Sequence, residues 1–352
     1  MGNITRFAAI NTKVKVLEGK LLNNQDYVAL LAKKDVGEVV TYLKESTTYK
    51  EVLKNIGNSI EVDTLEWLLQ KNIVKQYEKL VHYFTGEYRK LFKIIFMRYE
   101  ISDLKLYLKT VIRGEDLSKA REMVIGSTLY RTMNYERLEQ SKNLEEFVEH
   151  LRDTAYYSFL KPYLAEEPEK RLFYMEMVLD KLYFKHLAEQ VDRLNLQDRK
   201  IFKEFLGKNI DLLNLQWIYR GLKFYRLSPE ELINYTLYGG YALNYSTLKN
   251  ICYSKNEKEL IQQMMDSKYG FLFDNEDTRE IFMERRIKRY LYFLLLEYKK
   301  RSQMNIIHSV AYRHLLEFEM RDIISIIEAI KYGLDPKHTK TFLIRKIREE
   351  GA

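Results

Sequence analysis

Residues Tyr99 to Leu117 read YEISDLKLYLKTVIRGEDL, and residues Phe318 to Pro336 read FEMRDIISIIEAIKYGLDP. Both carry an acid, an Asp three residues on, an apolar residue next to it, and a Gly eleven beyond the Asp. These are Glu100, Asp103, Leu104 and Gly114 in one stretch, and Glu319, Asp322, Ile323 and Gly333 in the other. Between them lies a looser copy, IDLLNLQWIYRGLKFYRLSP, where Asp211, Asn214 and Leu215 match and Tyr225 stands in the glycine's place. From Asp103 to Asn214 to Asp322 the steps are 111 and 108 residues, the mark of an internal repeat.

Working outward, each copy follows a long amphipathic stripe. Leu65, Leu68, Leu69, Ile73, Tyr77, Leu80, Val81 and Phe84 recur at three- and four-residue steps, which predicts a helix with one apolar face. Similar stripes run through Leu172 to His186 and Ile281 to Tyr298, so long helices start near 62, 170 and 278. Each copy ends in a helix-start signal: Asp116, Ser228-Pro229-Glu230-Glu231, and Asp335-Pro336. A further element opens each repeat, running from Tyr27 to Tyr49, from Asn134-Tyr135 to Tyr156, and from Asn244-Tyr245 to Tyr269. The expected architecture is all-α: three diverged helical modules, 1–118, 119–229 and 230–352. Similar units bury similar faces on one another, so closure about a pseudo-threefold axis is expected. An open solenoid is less expected, because solenoid repeats are usually ~20 to 50 residues long.

Composition agrees. Gly and Pro together are 18 of 352 residues, about 5% where about 12% is usual. That leaves little room for the tight turns of a sandwich or barrel. Hydrophobic residues at 46% fill a core and charged residues at 31% cover long helices. The single cysteine, Cys252, excludes an internal disulfide and a cysteine metal cluster, and fits a reducing compartment. The start, Met1 to Arg6, has no apolar signal region, and Arg6 stands where a myristoylation signal wants Ser or Thr. The apolar run Tyr290 to Leu296 falls far short of the ~20 residues of a membrane span. Membrane association is therefore expected only through a surface or another protein.

The net charge of +8 arises from 58 basic against 50 acidic residues. The basic stretches Arg285 to Arg289, Lys299 to Arg301 and Arg345 to Arg348 each adjoin acids, namely Glu284, Glu297 and Glu349. Such mixing predicts solvated helix faces in preference to a nucleic-acid patch.

Catalytic motifs fail one by one. Gly19-Lys20 and Gly207-Lys208 lack both the upstream glycine and the Ser/Thr of a phosphate loop, and no GxGxxG or GxSxG occurs. The six histidines form no HExxH and no di-iron ExxH pair. Glu146/His150 and His314/Glu317 have metal-pair spacing, but such pairs are common on helix surfaces. The acids Glu100/Asp103, Asp211/Asn214 and Glu319/Asp322 share one helix face, a spacing that acid–base chemistry or a cation site could use. Their recurrence in every module favours a structural role at helix starts, bonding free N–H groups. The 28 tyrosines, as in Tyr88-Arg89-Lys90 and Phe224-Tyr225-Arg226, suit core and protein interfaces better than base stacking. No catalytic residue, cofactor or metal ligand is expected, and no partner-binding residue is assigned.

With the early stretch YVALLAKKDVGEVVTYLKESTTYKEVL (residues 27–53) and an acid-x-x-Asp/Asn-Leu helix in each module, the whole chain resembles the C subunit of bacterial and archaeal V/A-type ATPases. The eukaryotic counterpart in that family is the d subunit. The resemblance implies a non-catalytic part of a rotor with a funnel-like, pseudo-threefold body. Such a protein sits peripherally on the cytoplasmic face of the membrane, on the proteolipid ring. There it receives the foot of the central stalk and passes torque for proton or sodium transport. The partners implied are the central-stalk rotor subunits and the proteolipid ring, with no nucleic acid. Beside this stands a helical scaffold unrelated to an ATPase, which would show the same repeats with other partners. The basic stretches around Arg285–Arg289 and Arg345–Arg348 are expected to lie near partners or lipid.

Overall fold

The structure, a computed structural model, describes residues 2–57, 60–301 and 303–347. Met1, Arg348 and Glu349 lie outside the described residues. The described chain is all-α, and no strand occurs among its residues. Six helices of 20 to 27 residues dominate: Val62–Val81, Gly86–Ile112, Pro168–Val191, Leu196–Arg220, Arg279–Arg301 and Ile307–Lys331. The three predicted striped helices are the first, third and fifth of these. None of the described helices is long and apolar enough to cross a membrane.

The chain divides into two compact units, one of residues 1–73 and 196–352, the other of 74–195, with the boundary inside the Val62–Val81 helix. In the smaller unit the Gly86–Ile112 and Pro168–Val191 helices pack along their lengths. Leu91, Phe92, Leu104, Met175, Leu179 and Leu182 are buried there, and Lys105 closes the seam on Asp180 at 2.6 Å. In the larger unit the Arg279–Arg301 helix packs on both Leu196–Arg220 and Ile307–Lys331, and the Asn3–Glu18 helix packs on the latter. Ile307–Lys331 is so enclosed that every residue from Ile307 to Leu316 is buried.

Between the long helices run short helices with regular caps. Asp35, Asn143 and Asn256 each accept the backbone N–H of a glutamate three residues on. Glu38, Glu146 and Glu259 in turn accept the N–H of the residue before the cap, Lys34, Lys142 and Lys255, at 2.7–3.0 Å. Two donors that a helix start would leave unpaired are thus satisfied reciprocally. Of the predicted helix-start signals, Ser228 forms a full capping box with Glu231, and Asp116 accepts from Ser118. Asp335 precedes its helix without a side-chain cap bond.

The helix ends explain the glycines. Gly114 (φ +67°) and Gly333 (φ +66°) are left-handed. Each is followed by a residue whose N–H reaches back five positions, Glu115 to Thr110 and Leu334 to Ala329, a Schellman closure. The middle copy lacks the glycine and solves the problem differently. Its helix loosens into a π-helical turn over Gly221–Tyr225, which absorbs one residue, and the left-handed position falls on Arg226 (φ 49°). Replacing Gly333 by Ala should lower stability by about 1 kcal/mol, since a Cβ in that region is crowded. Arg226→Gly should raise it by about 0.5 kcal/mol after the extra unfolded-state freedom is subtracted. Chemical denaturation of the two variants checks both signs.

Candidate functional site

The paired acids lie at mid-helix, not at helix starts as the sequence suggested. Glu100 and Asp103 lie in the middle of Gly86–Ile112, Asp211 and Asn214 in Leu196–Arg220, and Glu319 and Asp322 in Ile307–Lys331. There the helix's own N–H groups are already used, so each side chain serves donors from other segments. All six are at most 5% exposed. Burial without partners would be very costly for these groups, so their surroundings must supply donors.

They do so in a repeated way. Asp103 accepts the N–H groups of Ile125 and Gly126 and the Tyr135 hydroxyl, all at 2.8 Å. Glu100 accepts from the N–H and hydroxyl of Thr132, the N–H of Met133 and the Tyr156 hydroxyl. In the last copy Asp322 accepts from Ile344 and Arg345 N–H and from Tyr27, while Glu319 accepts from Leu22 N–H and Tyr49. In the middle copy Asp211 takes three successive N–H groups, Tyr241 to Leu243, and the Tyr269 hydroxyl at 2.7 Å. Asn214, an amide where the others have a second carboxylate, exchanges two bonds with the backbone of Leu237. It takes no tyrosine, and Tyr245 is correspondingly exposed.

The tyrosines that mark the ends of the repeated opening element are therefore the hydroxyl donors: Tyr27 and Tyr49, Tyr135 and Tyr156, and Tyr269. Each element serves the acids of the long helix before it in the chain, except the first. Residues 22–49 instead complete the helix Ile307–Lys331. Sequence spacing displayed both halves of the cluster but not that they meet.

Burial pushes these carboxyls up. Asp103 and Asp322 rise to about 6, mainly by desolvation, with their hydrogen bonds opposing it. Glu319 rises to about 7, again by desolvation, opposed first by the Tyr49 hydrogen bond and the Leu22 N–H. The tyrosine hydroxyls are pushed above their ordinary range, by burial first and then by the neighbouring acids. A cavity of about 340 Å³ reaches Glu319 and Asp322, bounded also by Tyr292, Lys299 and Arg345. Lys299 is held by Glu18 at 2.6 Å, and Arg345 donates to the Leu22 carbonyl. What the clusters do chemically is clamp: each ties a loop and a short-helix element to the middle of a long helix.

The other residues singled out by sequence are also occupied. Glu146 holds the Lys142 cap, and His150 Nδ1 lies 2.9 Å from the Ser141 hydroxyl. Glu317 pairs with Arg313, and the His314 ring meets Phe205 edge-on. The basic stretches are less solvated than their composition suggests. Arg286 donates to the Leu272 carbonyl, and Arg289 to the carbonyls of Leu343 and Ile344, the segment whose N–H groups reach Asp322. Arg301 pairs with Glu297.

Comparison with known proteins identifies the family. The family model described as ATP synthase (C/AC39) subunit matches residues 10–342. The C subunit of the A-type ATP synthase of Thermococcus kodakarensis is 25% identical over 343 residues, covering 96% of this chain and 90% of the relative. The corresponding C subunit of Methanosarcina mazei is 27% identical over 256 residues, covering 73% and 70%. That of Methanosarcina acetivorans is 24% identical over 308 residues, covering 88% and 84%. With the match spanning nearly its whole length, the chain belongs to the ATP synthase (C/AC39) subunit family.

Proposed function

We propose that this protein is the central-rotor adapter of its complex, joining the central stalk to the membrane proteolipid ring and passing torque between them. Family membership makes the chain a non-catalytic part of a rotary ATPase, and the match over residues 10–342 is the observation that carries the reading. In this proposal the three modules, 1–118, 119–229 and 230–352, surround a pseudo-threefold axis in a funnel-like body. The protein lies peripherally on the cytoplasmic face of the membrane, and the ring moves protons or sodium ions.

The physical case rests on stiffness. A body that transmits torque must not shear between its helices, and close-packed long helices resist that. The buried carboxylate clamps add to it, because hydrogen bonds to an ionised acceptor are stronger than neutral ones. They tie loops to helix middles in all three copies, with Asn214 replacing the second carboxylate in the middle one. The use of residues 22–49 by the last long helix supports a closed arrangement over an open solenoid.

The test is a tagged pull-down from detergent-solubilised native membranes, with partners identified by mass spectrometry. Recovery of head, stalk and proteolipid subunits together is expected. Their absence from the eluate, while the intact ATPase is present in the extract, would sink the rotor reading and leave a helical scaffold.

A further inference from the structure

Arg285 stands apart from its basic neighbours. Arg286 and Arg289 bond carbonyls and Lys288 bonds Glu284, yet Arg285 has no carboxylate within ion-pair distance among the described residues. It lies over the Phe282 ring at 4.5 Å, and its Nε is buried with no acceptor. Arg321, whose Nε is buried without an acceptor in the same way, lines with Arg285 one open cavity of about 290 Å³. Lys288 is the third cation there, against the carboxylates of Glu66 and Glu284. Glu284 is already engaged by Lys288 and by Arg321 at 3.5 Å. Apart from Ser325 the remaining walls are apolar, among them Ile281, Phe282 and Phe342.

Buried donors without acceptors are costly, and a guanidinium is built to bind a planar or tetrahedral oxyanion through several N–H groups at once. Burial, and then Arg289 and Arg286, bring the Arg285 guanidinium down to about 10. Burial brings Lys288 down to about 8 despite Glu284. Both groups would gain from a negative charge in the cavity.

We propose that this cavity binds a phosphate group, taken between Arg285 and Arg321 with Lys288 beside them. The phosphate belongs either to a small phosphorylated solute or to an anionic phospholipid headgroup, whose first methylenes the apolar wall would accept. The inference does not depend on the rotor reading.

Full-length protein is titrated with inorganic phosphate by calorimetry, and separately mixed with vesicles of phosphatidylcholine, with or without phosphatidylglycerol. Saturable binding is expected in at least one arm. It should fall about tenfold in Arg285→Gln and persist in Arg285→Lys. Lys15→Gln, which removes the same charge from an exposed site on the Asn3–Glu18 helix, should leave it unchanged. Binding of free phosphate identifies a soluble ligand, and binding only to phosphatidylglycerol vesicles identifies a headgroup. The proposal is overturned if neither arm binds, if Arg285→Gln binds as the parent does, or if Lys15→Gln weakens binding equally. A thermal melt without phosphate separates misfolding from lost binding: Arg285→Gln gives up the contact over the Phe282 ring but strands no paired carboxylate, and should melt close to the parent.

Discussion

Asp211→Ala is expected to unfold at much lower urea than the parent protein, with a loss of about 4 kcal/mol. The side chain is fully buried and accepts three successive backbone N–H groups and the Tyr269 hydroxyl. Truncation strands all four, and each stranded donor costs ~1 kcal/mol or more. The backbone cannot close over the gap, because it already approaches the carboxylate as near as it can. A Cβ on Gly240 would collide with Asp211 Oδ1. Asp211→Asn is the informative control. One oxygen, Oδ2, takes three of the four bonds, and an amide can leave its own oxygen there, so only Leu243 N–H loses its acceptor. Its loss should be about a third of that of Asp211→Ala. If the two variants unfold alike, the cluster's bonds are not what holds Tyr241 to Leu243 on the helix.

The second large effect is a pH dependence. Glu319 rises from 4.5 to about 7 in the folded protein, chiefly through burial. A carboxyl raised in this way favours folding while it is protonated. Its contribution is complete below the unfolded value and is lost as pH climbs through about 7. The difference amounts to about 3 kcal/mol. Geometry permits the neutral acid: Tyr49 can turn from donor to acceptor while Leu22 N–H keeps the other oxygen. Glu319→Gln cannot titrate and makes the same two bonds. Its stability should therefore rise relative to the parent by about 3 kcal/mol between about pH 5 and pH 8. Asp103 titrates in both proteins and cancels in the comparison, whereas Asp322, whose charge acts on Glu319, adds to the difference in the same direction. Urea titrations at several pH values read the difference, and parallel curves for parent and variant would show that Glu319 stays ionised throughout.

Much of this fold is legible in the sequence because periodicity reports burial directly. Stripes such as Leu65 to Phe84 locate long helices whose observed starts are Val62, Pro168 and Arg279, against expected starts near 62, 170 and 278. The clusters are half legible. Acids three residues apart in each copy, and tyrosines at the ends of each opening element, are both visible as recurrences. Their meeting is not, since Glu319 and Leu22 are 297 residues apart and local spacing carries no information about such partners. The same gap explains why the acid pairs read as helix-start residues: an acid pair on one face looks the same at a cap as in mid-helix. The basic stretches mislead for a related reason. A charge run shows where cations are dense, but not that Arg286 and Arg289 turn inward to carbonyls while Arg285 meets no carboxylate among the described residues. The missing glycine at Tyr225 marked a real irregularity, and only coordinates reveal that an extra residue in a π turn moves the reversal to Arg226.

Residues 22–49 are made early in synthesis and their partners Glu319 and Asp322 late. At ~5–20 residues per second, roughly tens of seconds separate the two on the ribosome. During that time Tyr27, Tyr49 and the Leu22 amide lack the acceptors they have in the finished fold, and the first segment is held open for aggregation or for a chaperone. The smaller unit, whose donors and acids lie within one continuous stretch, can fold while the chain is still emerging. The larger unit must wait for the Ile307–Lys331 helix, so it is completed later than the smaller one and is the one left unfinished when translation stops before that helix.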